Sequence, residues 1–278
     1  MPGRRIQRFG SVQIWTHREF VRGDDFRGTL LTIPITVTSM DLTPDIVQLL
    51  LVTLVILIGS ACQAAIGMGL NLFAIPLLLL INPVYAPGPV LVASMVLSFL
   101  ALWRVPATVD RHELKLALIG LALGSAAAGV VAAAIDASSL TRLLGGFIVF
   151  GVLLALSGWS APLTDRNLAA AGGGAGFLGT IAGVHAPPIA LLYQGLAPDR
   201  VRGAVLTFVG IGNAFSIIAL AVVGRFGSDQ LTATLYLIPG VLGGLLVAPV
   251  LADLIDARLL RLLVLAISGV SGALLIFA

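Results

Sequence analysis

Residues 183–198 read GVHAPPIALLYQGLAP. The segment is apolar enough to be buried, yet His185 stands just ahead of Pro187 and Pro188, and each proline removes a backbone donor. An unbroken helix does not accommodate that pattern. Gly183 supplies a permissive turn, and a proline opening a new helix loses little, because its N–H would have no intrahelical partner. The stretch reads as a helix break followed by a short helix, Pro187 to Leu196. Non-helical backbone at membrane depth is tolerated only where it lines an enclosed or watery cavity.

Composition places this break in a membrane. Of 278 residues, 58% are hydrophobic and 10% charged, and the mean hydropathy of +1.07 excludes a water-soluble globular domain. The apolar runs suit helices, which need about 20 residues to cross the hydrocarbon; the short alternating segments of a barrel do not occur. The spans expected are Ile46 to Ile66, Leu70 to Ile81, Val90 to Trp103, Leu114 to Ile135 and Leu140 to Trp159, then Leu168 to Ala182, Pro187 to Leu196, Val201 to Val223, Leu231 to Ala252 and Leu259 to Phe277. Leu70 to Ile81 and Pro187 to Leu196 are too short to cross at about 1.5 Å per residue. They occupy matching places in the two halves of the chain.

The halves also match in sequence. ALIGLALGSAAAGVVAAAIDASSLTRLL, from Ala117, aligns with LYLIPGVLGGLLVAPVLADLIDARLLRLL, from Leu235, bringing Gly120 onto Gly240, Gly124 onto Gly244 and Asp136 onto Asp256. Upstream, Pro83 falls on Pro198 and Ser98 on Asn213. Five segments per half is an odd number, so the second copy should enter the membrane upside down. Inversion gathers Arg104, Arg111, Lys115, Arg166, Arg200, Arg202, Arg258 and Arg261 on one face, leaving Arg142 and Arg225 on the other; by the positive-inside rule the first face is cytoplasmic.

The expected architecture is all-α and polytopic: two inverted repeats of about eight to ten hydrophobic segments, two of them short broken or re-entrant helices, over residues 40–160 and 161–278. Residues 1–39 carry six arginines and belong to no span or repeat. They are a disordered basic tail held in the cytoplasm, which would reverse this orientation, or they precede a natural start at Met40, whose acidic leader suits an external N-terminus.

The first-half counterpart of the opening stretch is IGMGLNLFAIPLLLLINP, Ile66 to Pro83. Gly67 and Gly69 loosen its backbone, and Asn71 offers an amide at the start of the next short helix. Two such breaks meeting from opposite sides of the bilayer form the midplane site of many secondary transporters, where helix N-termini attract anions.

The quoted segments are similar to a known family. AGVHAPPIALLYQGLAPDRVRGAVLTFVGIGNAFSIIAL, from Ala182, resembles the second-repeat signature of the TauE/SafE-like sulfite exporters, a pattern of the kind G-I-G-G-P-P, an apolar helix, G-L-P-P, Arg and an Asn-bearing span. AAIGMGLNLFAIPLLLLINP, from Ala64, resembles the first-repeat signature G-F-G-x-x-L-x-x-x-P-L-L. The resemblance runs from about Met40 to Ala278 and implies a carrier of small anions such as sulfite, sulfonates or related organic acids. His185 and Ala186 replace the two glycines before the prolines, and Met68 separates the first-repeat glycines, so the cargo need not be sulfite.

The candidate substrate-binding residues are Gln63, Gly67, Gly69, Asn71, Ser98, Gly183, His185, Pro187, Pro188 and Asn213. Each has a structural alternative. His185 either meets the anion or bonds a group exposed at the break. Ser98 and Asn213 either face the cavity or knit helices together. Gln63 points toward the cavity because an amide in lipid is costly. Cys62 is a packing residue or a substrate-facing thiol, and Arg200 and Arg202 mark the membrane boundary or capture anion.

No HExxH, P-loop or GxSxG motif and no intramembrane aspartate pair occurs, so enzyme and ATP-driven readings lack their residues. No cofactor or metal is expected. The function expected is alternating-access export of small anions; an anion channel and a non-transporting membrane scaffold are the alternatives. The expected partners are the anion, the lipid bilayer and, where the chain self-associates, a homo-oligomer, with no nucleic acid. The expected location is a cell membrane, multi-pass, of bacterial inner-membrane type.

Overall fold

The computed structural model describes residues 45–103 and 109–277, all helices and connections with no strand among them. The expectations for residues 1–39, and for Arg104, fall outside the described residues. Ten α-helices follow in order: α1 (Ile46–Ile66), α2 (Leu70–Ile81), α3 (Gly88–Leu102), α4 (Arg111–Ala134), α5 (Ala137–Leu156), α6 (Asp165–Ala182), α7 (Ala186–Tyr193), α8 (Pro198–Val222), α9 (Ser228–Leu254) and α10 (Ala257–Phe277). Six of them, α1, α4, α5, α8, α9 and α10, are long and apolar enough to cross a membrane. Their outward surface is apolar, with Leu54, Leu123, Leu153, Leu246 and Val270 exposed, while Gln63, Asn71, Thr180, His185 and Asn213 are buried. That inside-out polarity suits a chain whose solvent is lipid.

The two breaks form as their residues require. α1 ends at Gly67 with φ 85° and α6 at Gly183 with φ 72°, both in the left-handed region that side chains with a Cβ avoid. The chain then re-enters the helical path as α2, of 12 residues, and α7, of 8.

Several long helices begin before the apolar runs. Asp110 accepts a bond from the His112 N–H at 2.7 Å, Thr164 caps α6 through the Asn167 N–H, and Asp256 accepts from the Arg258 N–H at 2.8 Å. These caps satisfy orphan donors and let the helix begin in polar surroundings, so α4 starts at Arg111 and not at Leu114. Asp136 caps α5; bonds from Ser138 and from the Ser139 N–H hold its carboxyl well below the usual carboxylate range.

Small residues set the closest helix contacts. A Cβ on Gly120 would overlap the Ala169 carbonyl, and one on Gly172 the Ala117 carbonyl, so α4 and α6 touch backbone to backbone. The aligned glycines do the same between α9 and α1, where a Cβ on Gly240 would stand 2.8 Å from the Thr53 carbonyl oxygen. α5 and α10 meet antiparallel, Gly145 beside Gly272 and Leu275, and Ala155 beside Arg261. α3 and α8 also meet antiparallel, Ser98 beside Gly210 and Leu91 beside Leu220.

Polar contacts place the starts of α4, α6, α8 and α10 at one end of the bundle. His112 meets Asp165 at 3.0 Å, Arg200 meets Glu113 at 3.1 Å, and Arg202 and Arg258 line one cavity. Arg225, in the α8–α9 connection, bonds the Ile135 carbonyl at the far end of α4.

Candidate functional site

The two breaks converge. A Cβ on Gly183 would stand 3.0 Å from the Asn71 Cβ, and a small cleft between the breaks is lined by Gln63, Gly69, Asn71, Gly183 and Pro187, with Met68, Val184 and Arg261 among the remainder. Its volume of about 20 Å³ admits about one water molecule. Toward the arginine-bearing end lies a larger vestibule of about 470 Å³, lined by Arg202, Arg258, Arg261, Asp199, Gln194 and apolar side chains. Ile66, Met68 and Arg261 border both spaces and form the partition between them.

The helix starts facing the cleft differ in donor supply. α2 has no side-chain cap; the first bond from its start runs from the Phe73 N–H to the Gly69 carbonyl, so the N–H groups of Leu70, Asn71 and Leu72 have no helical acceptor. α7 also has no side-chain cap, but Pro187 and Pro188 carry no N–H. The first half is therefore the stronger donor for an anion.

Asn71 is buried on the cleft wall, and its amide bonds that of Asn213 at 3.0 Å across the halves. The bond runs from Asn71 Nδ2 to Asn213 Oδ1, and Asn71 Oδ1 and Asn213 Nδ2 have no hydrogen-bond partner. Turning both amides over preserves the bond and presents a donor in place of Asn71 Oδ1. Asn213 thus stands behind Asn71 and acts on the cleft through it.

The other candidates sit outside the cleft. His185, fully buried, turns its ring away into room left by Gly179 and Gly212, where a Cβ on Gly212 would stand 2.6 Å from the ring Cδ2. Its Nε2 lies 3.0 Å from Ser216 Oγ, which lies 2.7 Å from Thr180 Oγ1. Ser98 accepts a bond from Gln63 Nε2 at 2.9 Å, and Ser94 donates to Gln63 Oε1 at 3.1 Å. Gln63 both lines the cleft and ties α1 to α3, as His185 ties the second break to α8. Counting from Gly67 and Gly183, Gln63 corresponds to Gly179, whose missing side chain makes the room that the His185 ring fills.

Gly67 lines neither cavity, and a Cβ there would stand 3.2 Å from the Arg202 Cα; Pro188 lines neither cavity either, and Cys62 is buried against Phe73 and Val264. Ser94, Thr180, Ser216, Gly179 and Gly212 carry the tethers unforeseen from the sequence, because a hydroxyl or a glycine in an apolar run does not reveal which helix it faces. Arg200 does not line the vestibule; Glu113 accepts from it and, at 2.9 Å, from the Tyr193 hydroxyl, fastening the end of α7 and the start of α8 to α4.

A break in each half, joined at one cleft through an amide pair, is the arrangement that the two sequence signatures share. A model of the sulfite exporter TauE/SafE family matches residues 51–275. The chain belongs to the TauE/SafE family. Both signatures, and every residue of the cleft and vestibule, fall inside the matched range. No curated protein and no solved structure matches the chain. As a TauE/SafE protein it is a multi-pass membrane protein of a transporter family, and its departures from the family pattern fall at a ring turned into the helix packing, His185, at a residue lining the cleft, Ala186, and at a residue of the partition, Met68.

Proposed function

We propose that this TauE/SafE protein is a secondary transporter that exports small anions, sulfite and simple sulfonates first among them, by alternating access between inverted halves. The observation that carries the reading is the convergence of the two helix breaks on one cleft, with the uncapped start of α2 facing it and an arginine-lined vestibule beyond its partition. An N–H-rich helix start in a low-dielectric site favours negative charge. The antiparallel meeting of α3 with α8 and of α5 with α10 supports inversion, which exposes one central site to the two faces in turn. A cleft with room for about one water supports a gated step over an open channel, since Met68 and its neighbours must move before an anion enters. Met68 is suited to that movement, being unbranched and set between two glycines.

The positive-inside rule puts the arginine-bearing end in the cytoplasm, with the inner membrane of a bacterium the proposed location. An anion leaving a negative interior is driven outward by about 2.3 kcal/mol per charge for each 100 mV, so export needs no coupled ion.

Melting of the purified protein against sulfite, methanesulfonate, sulfate and acetate tests the reading. An anion at a hundred times its dissociation constant should add about 2.7 kcal/mol, and Asn71→Asp, which places a carboxylate on the cleft wall, should abolish that shift. No shift with any of these anions, together with no flux in liposomes, would refute the assignment.

A further inference from the structure

The vestibule is charged in one half only. Three arginines, Arg202, Arg258 and Arg261, line it against a single acidic residue, Asp199. The ion pairs among the described residues are His112–Asp165 and Arg200–Glu113, and none of the three takes part. Arg202 Nη2 donates to the Ala64 carbonyl and Arg261 Nη2 to the Ala155 carbonyl at 2.7 Å. One such bond leaves most of the five guanidinium donors free for another acceptor. In the alignment of the halves Arg202 falls on Pro87, Arg258 on Ser138 and Arg261 on Thr141, so the opposite half offers no cation at any of these places. The duplication preserved the breaks and the packing glycines but not the charge.

Size separates the two spaces as well. The cleft admits about one water, whereas the vestibule, at about 470 Å³, is roomy enough for a hydrated oxyanion. Arg261 alone among the arginines borders both. We propose that the vestibule is a one-sided loading chamber for small oxyanions, in which Arg202 and Arg258 concentrate the anion and Arg261 passes it across the Met68 partition to the cleft. The planar guanidinium fork suits a pair of oxygens on one centre, as in sulfite, a sulfonate or a carboxylate. The inference rests on the transport reading and adds to it a direction: capture from the arginine-bearing face is electrostatically assisted, and capture from the other face is not.

The test is zero-trans flux of labelled sulfite into membrane vesicles of both orientations, at about 0.01 M and about 0.15 M salt, between which the screening length falls from about 30 to about 8 Å. From the arginine-bearing face, KM should rise on the order of tenfold with salt; from the other face it should change less than about twofold. Arg258→Gln, at an exposed position, should raise the low-salt KM on the first face roughly three- to fivefold and leave the second unchanged. Arg261→Gln should raise KM on that face and lower kcat, and Arg261→Lys, which keeps charge without the fork, should recover the salt dependence but not kcat. If the Arg261 variants do not yield folded protein, the Arg258→Gln comparison decides. Equal KM and equal salt dependence from the two faces, or a folded Arg258→Gln protein with unchanged KM, would overturn the loading chamber while leaving transport intact. Absence of flux for sulfite, methanesulfonate and acetate in both orientations would overturn the transport reading and the chamber with it.

Discussion

Replacing His185 by alanine separates a packing role from a binding role. The ring is fully buried between Gly179 and Gly212, and its side-chain partner is Ser216, at 3.0 Å, with the Gly183 and Gly212 backbone close by. Truncation removes a side chain comparable in size to leucine, for which the loss and the remaining cavity cost about 2.7–5.0 kcal/mol. The lost hydrogen bond contributes about 1 kcal/mol of the total or less, because Ser216 and Thr180 continue to satisfy each other at 2.7 Å. A net loss of about 3 kcal/mol is expected, or roughly 6–12 °C in melting temperature. His185→Gln, whose Nε2 reaches the place of the ring Nε2, should lose about half as much. Neither change should alter anion affinity by more than about twofold, since the ring does not line the cleft. Melting in detergent and sulfite titration by calorimetry measure the two quantities separately. A tenfold loss of affinity with unchanged melting would refute this placement and return the histidine to the substrate site.

Gly124→Leu should prevent formation of monodisperse protein, because even a Cβ there overlaps the Gly173 carbonyl and overpacking of a rigid contact costs several kcal/mol; Gly146→Ala, with nothing within 4 Å of the added carbon, should be neutral or stabilise by up to about 1 kcal/mol, as size exclusion and melting will show. Asp136 has a depressed folded pKa, so its contribution is present above the ordinary carboxylate range and lost as pH falls through the folded value. The melting curves of wild type and Asp136→Asn should therefore lie apart near neutrality and converge on acidification, and curves that stay parallel would deny the carboxylate its role. In a Cys62→Ala background, cysteines at His112 and Arg258 should react with an impermeant reagent from one face and a cysteine at Asp229 from the other; labelling of all three from a single face would contradict the topology.

Much of the fold is legible in the chain because it depends on local chemistry. The expected limits of α1 and α2 coincide with the observed ones, Ile46–Ile66 and Leu70–Ile81, because Gly67 and Gly69 stop and restart the helix whatever surrounds them. The starts of α4 and α6 lie three residues ahead of the expected ones, since hydropathy registers the apolar run while the Asp110 and Thr164 caps set the first turn. Of the candidate site, the backbone part is in place: Gly69, Gly183 and Pro187 meet at one cleft with Gln63 and Asn71. The remaining side chains take directions that no local signal sets. The direction of His185 depends on two glycines in other elements, and that of Ser98 on the amide of Gln63.

Composition and glycine and proline placement alone determine that this chain lives in lipid and that it breaks twice, because each follows from transfer energy or from the φ range of a single residue. Only the tertiary structure decides which polar groups face the cleft and which bind helices together. The Asn71–Asn213 bond joins residues 142 positions apart, and the same buried amide would read identically in sequence whether it met a substrate or another helix. Arg261 belongs to the second class: in the chain it is one boundary cation among several, and its place between vestibule and cleft exists only because α10 packs against α5 and beside the first break.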